Sequence, residues 1–111
     1  MKAFFIASIR GKGENVDAYN EIINTIEENG YSVSHKHVTS VTQQDVEGWS
    51  PNRKLEFHQR VISQIKESDI VVAEVSSQSI NVGFLISLAV DCNKPAIVLY
   101  TNKVEPNVIK A

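Results

Sequence analysis

The stretch DIVVAEVSSQSINVGFLISLA, from Asp69 to Ala89, decides the fold. It opens with DIVVAEV, Asp69 to Val75, a β-branched run typical of a central parallel strand that is covered on both faces. The polar segment SSQSIN, residues 76–81, follows. Val82 to Cys92 then form an apolar segment that predicts a helix. A polar loop that runs into a helix start offers unpaired N–H groups, which attract anions. We therefore predict that this stretch forms a binding site for a nucleotide-like anion.

The alternation of strand and helix continues on both sides of this stretch. The predicted strands are Lys2 to Ile9, Tyr31 to Val38, Asp69 to Val75 and Lys94 to Tyr100, and the predicted helices are Val16 to Asn29, Asn52 to Ser68 and Val82 to Cys92. A β-α-β-α-β-α-β order implies parallel strands with right-handed crossovers. The expected fold class is α/β, a Rossmann-like or flavodoxin-like parallel sheet of four to five strands with helices on both faces. One domain over residues 1–111 accommodates it.

The segment YSVSHKHV, Tyr31 to Val38, alternates with the period of a half-exposed strand. In such a strand His35 and His37 would face the same side. Gly30 comes just before it, where a left-handed cap would end the first helix.

The polar connection from Thr39 to Pro51 is long for a compact domain, which indicates a functional lid or an excursion of the chain. Trp49 within it either anchors the loop or contacts a ligand or a second subunit. At the other end, the apolar residues of the tail are expected to pack on the domain or on a partner. They are Val104, Val108 and Ile109.

The composition is that of an ordinary soluble globular protein, with a net charge of −2, 42% hydrophobic residues and 22% charged residues. It argues against general binding to a nucleic-acid polymer. The apolar start is interrupted by Ser8 and Arg10, so we expect neither a membrane span nor a signal peptide. The single Cys92 fits a reducing compartment, and the cytoplasm is the expected location. We predict no cofactor and no metal site.

Two loops carry the candidate chemistry. SIRGKG, Ser8 to Gly13, offers a hydroxyl, a guanidinium and glycine N–H groups that suit a phosphate or carboxylate, although its spacing matches neither a P-loop nor a G-x-G-x-x-G fingerprint. SSQSINVG, Ser76 to Gly83, opens into a helix, and Gly83 would let a ligand approach the backbone. The alternatives are an ordinary glycine loop in the first case and plain helix capping by Ser79 or Asn81 in the second.

Four quoted motifs carry a family resemblance. They are SIRG at residues 8–11, SDIVVAEVSSQS at 68–79, VG at 82–83 and A-V-x-x-x-K-P at 89–95. From Lys2 to Tyr100 the chain resembles the nucleoside 2-deoxyribosyltransferase superfamily, and within it the 2'-deoxynucleoside 5'-monophosphate N-hydrolases. The resemblance implies a Rossmann-like domain, usually a dimer, that cleaves or exchanges the N-glycosidic bond of a deoxynucleotide.

The resemblance also implies which residues contact a nucleoside monophosphate. The expected phosphate contacts are Arg10, Ser79 and the amide of Asn81 or Gly83, and the other expected binding residues are Phe4, Ser8, Ile9, Gly11, His37 and His58. Phe4 stands where relatives often have a tyrosine. His37 matches a histidine near the base, and His58 matches one on the second long helix.

The two carboxylates of the family are missing from the sequence. In the family motif V-G-Y-E-x-G-x-A the Glu attacks or stabilises the sugar carbon, whereas here the motif reads V-G-F-L-I-S-L-A and places Leu85 at that position. The assisting Asp of the preceding helix aligns with Val61. Neither alkyl side chain can form a glycosyl intermediate or stabilise a cation. We therefore expect a catalytically impaired protein that binds a nucleoside monophosphate or a related phosphate.

Two other interpretations remain open. The chain is an active N-glycosidase or transferase of altered mechanism if His58, Glu56 or a group from a partner subunit replaces the missing acids. It is a purely structural or oligomer-forming domain if the pocket has decayed. The retained SIRG and SSQS loops argue against decay, because both keep donors suited to phosphate.

Overall fold

A parallel sheet forms the centre of the molecule in the computed structural model, which describes residues 1–100. Its strands are β1 (Lys2–Ile6), β2 (Ser32–Ser34), β3 (Ile70–Glu74) and β4 (Ala96–Leu99). The helices are α1 (Lys12–Glu28), α2 (Lys36–Thr39), α3 (Gln43–Gly48), α4 (Pro51–Glu67) and α5 (Ile80–Asp91). The predicted α/β class is confirmed, and the tail residues Val104, Val108 and Ile109 lie outside the described residues.

Hydrophobic cores cover both faces of the sheet, because successive side chains of a strand point to opposite sides. In β1, Phe4 and Ile6 face α4 and α5, whereas Phe5 and Ala7, just past its end, face α1. The first core consists of Phe4, Ile6, Val61, Ile65, Val71, Ala73, Val75, Val82, Leu85 and Ala89, and the second of Phe5, Ala7, Tyr19, Ile23 and Val38. The sheet is therefore a middle layer between helices, as predicted.

The strand order β2-β1-β3-β4 creates a switch point between β1 and β3. The chain leaves β1 in one direction to reach β2 and returns across β1 to reach β3, so the loops after β1 and β3 diverge. The pairing of Ile6 with Ala73 brings the carboxyl ends of these two strands side by side. The SIRG and SSQS loops therefore start next to each other at one edge of the sheet.

The predicted strand from Tyr31 to Val38 is wrong in its second half. Edge strand β2 pairs with β1 only as far as Ser34, and α2 begins at Lys36. Tertiary contacts explain the change: the Lys12 ammonium group donates to the carbonyl oxygens of Val38 at 3.0 Å and Val41 at 2.6 Å. His37 is therefore a helical residue, and it does not share a strand face with His35.

The predicted loop from Thr39 to Pro51 contains the ordered helix α3. Thr42 and Asp45 form a reciprocal capping box at its start, with both hydrogen bonds at 3.0 Å. These hydrogen bonds lower the pKa of the exposed Asp45 carboxyl below its usual value. Ser50 then caps α4 by accepting from the Arg53 N–H at 3.2 Å.

The remaining helix and strand boundaries agree with those predicted from the sequence to within a few residues. Gly30 adopts a φ of 89°, as the predicted left-handed cap requires. Helix α1 begins at Lys12, ahead of the predicted Val16, because apolar periodicity does not mark a polar first turn. Within the described residues, every helix is too short or too polar to cross a membrane.

Candidate functional site

A cavity of about 530 Å³ opens where the loops after β1 and β3 diverge. We call it the first cavity, and its volume falls within the ~300–1,000 Å³ range of small-molecule sites. Its polar lining is Ser8, Arg10, His37, Gln43, Lys54, Gln78, Ser79 and Asn81. Its apolar lining is Ala7, Ile9, Val38, Val46, Trp49, Phe57, Val61, Ile80 and Leu85. Polar and apolar side chains thus line the cavity together, and we call the part around Arg10, Ser79 and Asn81 its polar rim.

The polar rim is built on the start of α5. The Ser79 hydroxyl caps this helix by accepting from the Val82 N–H at 3.2 Å, as the loop sequence predicted. Asn81 and Arg10 are exposed at the same rim. The positive end of a helix dipole next to a guanidinium favours a bound anion.

Gly11 fixes the distance between the two loops. The Asn15 side-chain amide donates to the Gly11 carbonyl at 2.9 Å and to the Ser77 hydroxyl at 3.0 Å, which ties SIRG to SSQS. A Cβ atom on Gly11 would overlap Ser77 Oγ. The Gly11 N–H also donates to Ser8 Oγ at 3.1 Å. Gly11 therefore lets the two loops approach each other closely, and it does not itself line the cavity.

Two buried polar side chains, Tyr19 and Glu74, form hydrogen bonds with the backbone of these loops. The Tyr19 hydroxyl donates to the Ser8 carbonyl at 2.9 Å. Burial and, to a smaller extent, the nearby negative charge of Glu74 raise the pKa of Tyr19 to about 12. Glu74 is only 2% exposed and accepts from the Ser76 N–H at 2.6 Å. This carboxylate therefore serves the loop backbone and does not line the first cavity.

Two buried apolar residues of the first cavity are the positions that the sequence analysis compared with the family acids. Val61 on α4 and Leu85 on α5 are each 4% exposed, and both line the cavity. In the part of the chain that the structure describes, no Asp or Glu lines this cavity. A ligand there would therefore meet hydrocarbon and no carboxylate from the described residues.

His37 presents a neutral imidazole between the sheet and the cavity. Its ring stacks on Phe4, with ring centres 4.4 Å apart and planes 16° from parallel. Burial lowers the pKa of His37 to about 4, although a hydrogen bond with the Phe5 backbone opposes the shift. Its Nε2 atom is buried and has no hydrogen-bond partner among residues 1–100.

The structure brings six of the ten sequence-predicted binding residues to the first cavity. These are Ser8, Ile9, Arg10, His37, Ser79 and Asn81. Phe4 is fully buried behind His37, and Gly11 and Gly83 do not line the cavity. His58 lies outside it and stacks on Phe84, with ring centres 5.6 Å apart. Ligand binding by any of these residues stays a prediction.

Trp49 and Lys12 contribute to the site in ways that the sequence did not fully indicate. The Trp49 ring lies 5.0 Å from Phe57, and the Arg53 guanidinium carbon lies 4.9 Å from the Trp49 ring centre. Trp49 is thus anchored, and it also lines the cavity.

Lys12 holds the α2–α3 segment through the carbonyl contacts described above. In the sequence, the position of Lys12 in the SIRGKG loop was the only indication that this residue belongs to the site. Residues 1–100 contain no cluster of metal-ligand type.

Comparisons with known proteins reveal clear relatives. A Thermofilum pendens protein named "Putative 2'-deoxynucleoside 5'-phosphate N-hydrolase 1" is 34% identical over 99 residues, which cover 89% of this chain and 67% of that protein. The 5-hydroxymethyl-dUMP N-hydrolase of Danio rerio is 31% identical over 100 residues, covering 90% of this chain and 68% of that protein. No family model matches the chain.

Solved structures share the fold at low sequence identity. The Clostridium botulinum CMP N-glycosidase superimposes with a TM-score of 0.63 at 20% identity, covering 93% of this chain and 71% of that chain. A 2-desoxiribosyltransferase from Leishmania mexicana gives a TM-score of 0.62 at 13% identity, covering 91% and 65%. These two similarities concern the fold alone.

Replacing Gly11 by Ala should destabilise the protein, because the new methyl group displaces Ser77 and breaks its contact with Asn15. We expect the free energy of unfolding in urea to fall by about 2 kcal/mol. Gly13→Ala is the matched control, since a Cβ there meets nothing within 4 Å. It should leave stability unchanged or raise it by up to ~1 kcal/mol. Equal effects of the two substitutions would contradict the tight loop contact.

Protonation of His37 should weaken the fold in acid. Its pKa is about 4 in the folded protein and ~6.5 when unfolded, so between these values the unfolded chain binds more protons. The stabilisation is complete above pH ~6.5 and is lost as the pH falls towards 4, by roughly 3 kcal/mol. His37→Phe, which keeps the stacking, should flatten urea-measured stability over this window. If NMR shows that His37 titrates near pH ~6.5 in the folded protein, the lowered pKa is refuted.

Proposed function

The chain belongs to the 2'-deoxynucleoside 5'-phosphate N-hydrolase family, and on that premise we propose that it binds a nucleoside 5'-monophosphate or related phosphate without cleaving it. One observation carries the proposal. A single cavity combines a rim that carries Arg10 and Ser79 with an apolar lining that includes Val61 and Leu85. The rim suits a phosphate, and the interior lacks the acids on which glycosidic cleavage depends.

The ligand orientation follows from the lining. The phosphate lies at the start of α5, against Ser79, Asn81 and Arg10, where N–H groups and a guanidinium converge. The sugar and base extend inwards towards Trp49 and His37. Aromatic side chains stack on bases, and the unpaired His37 Nε2 offers a hydrogen bond to a base edge. This orientation places the glycosidic bond in the apolar part of the cavity.

Cleavage of an N-glycosidic bond develops positive charge on the sugar, and it requires a proton for the leaving base. Val61 and Leu85 offer neither negative charge nor a nucleophile at the cavity interior. His37, whose pKa is about 4, is unprotonated at neutral pH and is a poor proton donor there. The family mechanism therefore lacks its charged groups in this cavity.

The candidate replacements for the missing acids lie elsewhere. His58 packs on Phe84 outside the cavity, and Glu56 is exposed on α4 without lining it. Glu74 accepts a hydrogen bond from the loop backbone. An active enzyme of altered mechanism would need an acid from a partner subunit, so these positions favour binding without turnover.

Nucleotide binding and base release should separate in direct assays. In calorimetry with the four deoxynucleoside 5'-monophosphates at pH 7, at least one should bind, and chromatography of the same mixtures should detect no free base. Arg10→Gln and Ser79→Ala should each weaken binding about tenfold, the loss expected for a charge-assisted or capping contact. Lys66→Gln, on an exposed α4 residue outside the cavity, is the control. Base release by the wild-type chain would refute the proposed impairment.

We also propose that the protein is a homodimer whose interface includes the exposed apolar patch on α4 and α5. Leu55 is 54% exposed, Ile80 95% and Phe84 48%, and Ile80 also belongs to the cavity lining. Covering such side chains would remove apolar surface from water. A second copy seated there would border the mouth of the first cavity.

Light scattering tests the dimer. The wild-type chain should elute with twice its 12.3 kDa mass, and Phe84→Glu should shift it to the monomer by placing a charge in the interface. Val90→Glu is the matched control, because Val90 is 58% exposed on another side of the same helix. A monomeric wild-type protein, or equal effects of the two variants, would exclude this interface.

Two further features belong to the proposal, a cytoplasmic location and a single domain over residues 1–111. The lone Cys92, a free thiol in the structure, supports a reducing compartment. Layers of helices on both faces of one sheet support a single folding unit.

A further inference from the structure

A second cavity of about 380 Å³ lies beside the first, between the end of β2 and helix α4. Its cationic lining residues are Lys36, Arg53 and Arg60, and all three are exposed. Arg53 and Arg60 share one face of α4 with Phe57 and Gln64, at helical spacing. Leu55 and His58 point to the opposite side of this helix, so the proposed dimer patch leaves the second cavity open.

The charged side chains that line this cavity are all positive. Among the residues of the described chain that line it, three are cations and none is Asp or Glu. The chain as a whole carries a net charge of −2, so the local excess of positive charge does not reflect a basic protein. Uncompensated cations around a concave surface attract an anion, and guanidinium groups suit phosphate oxygens.

The two cavities share an aromatic wall. His37, Trp49, Phe57 and Val61 line both of them, and the Trp49 and Phe57 rings pack 5.0 Å apart within that wall. Each cavity therefore has a cationic end and a shared aromatic side. Bases stack on such rings largely regardless of sequence, with ~1–3 kcal/mol per base.

We propose that the second cavity is a second nucleotide subsite, so that the protein binds a short 5'-phosphorylated dinucleotide across both cavities. The 5'-phosphate lies at Arg10 and Ser79, one base lies on each side of the Trp49–Phe57 wall, and the internucleotide phosphate turns towards Arg53 and Arg60. Volumes of about 530 and 380 Å³ each suit a group of nucleotide size. This inference rests on the proposed binding of a phosphate in the first cavity.

Calorimetry at low ionic strength tests the inference with two matched sets of probes. The four deoxynucleoside 5'-monophosphates measure the first subsite, and the four 5'-phosphorylated homodinucleotides measure both. At least one dinucleotide should bind about tenfold or more tightly than its monophosphate, as one further charge-assisted contact predicts. Added salt should reduce this advantage, because the second subsite is exposed.

Variants distinguish the two subsites. Arg60→Gln, which leaves the Arg53–Trp49 contact in place, should remove most of the dinucleotide advantage while monophosphate affinity stays unchanged, and Arg53→Gln/Arg60→Gln should remove all of it. Lys2→Gln/Lys66→Gln removes two exposed charges outside both cavities and should change neither affinity. Arg10→Gln should weaken both ligands.

The outcomes separate this inference from the proposed function. Equal affinity for dinucleotides and monophosphates, or an advantage that survives Arg53→Gln/Arg60→Gln, would overturn the second subsite and leave the first intact. Loss of monophosphate affinity in Arg60→Gln would also overturn it, since this cation would then serve the first cavity. Failure of all eight probes to bind would refute the proposed function itself.

Discussion

The parallel pairing of β1 with β3 is the constraint on which the rest of the structure depends. It places two loops side by side at the switch point of the sheet, and the absence of a side chain at Gly11 lets them meet at Ser77. Asn15 then joins the loops by hydrogen bonds, and Tyr19 fixes one of them from below. The rim of the first cavity is a consequence of this contact. Without it, Arg10 and the start of α5 would not line one cavity.

The first cavity merges with a hydrophobic core. Val61 and Leu85 belong to the same core cluster as Phe4 and Ile65, and they also face the cavity. A carboxylate at either position would be desolvated unless it were paired, which is costly, whereas an alkyl side chain gains roughly 1.5–3 kcal/mol on full burial. Val and Leu at these positions therefore favour stability. Arg10 and Ser79 at the rim lie outside this core.

The sequence predicted the parts of the fold that depend on local pattern. The DIVVAEV strand, the left-handed Gly30 and the Ser79 cap all have signals within a few residues. It did not predict where β2 ends, because β2 leaves the sheet after Ser34 although β1 continues to Ile6, and Lys12 holds the following segment in α2 through the Val38 carbonyl. The position of His58 could not be read from its spacing, since Phe84 on another helix determines it. Six of the ten candidate residues reach the cavity because they sit in the two loops at the strand ends or beside the edge strand, where the topology of the sheet brings them together.

A crystal structure of the protein after prolonged incubation with a deoxynucleoside 5'-monophosphate measures the central claim most directly. We expect one intact nucleotide in the first cavity, with its phosphate on Arg10 and Ser79 and its glycosidic bond beside Val61 and Leu85. Electron density for a separated base and sugar phosphate, or a carboxylate within hydrogen-bond reach of the sugar C1', would contradict it. So would a nucleotide bound elsewhere on the surface.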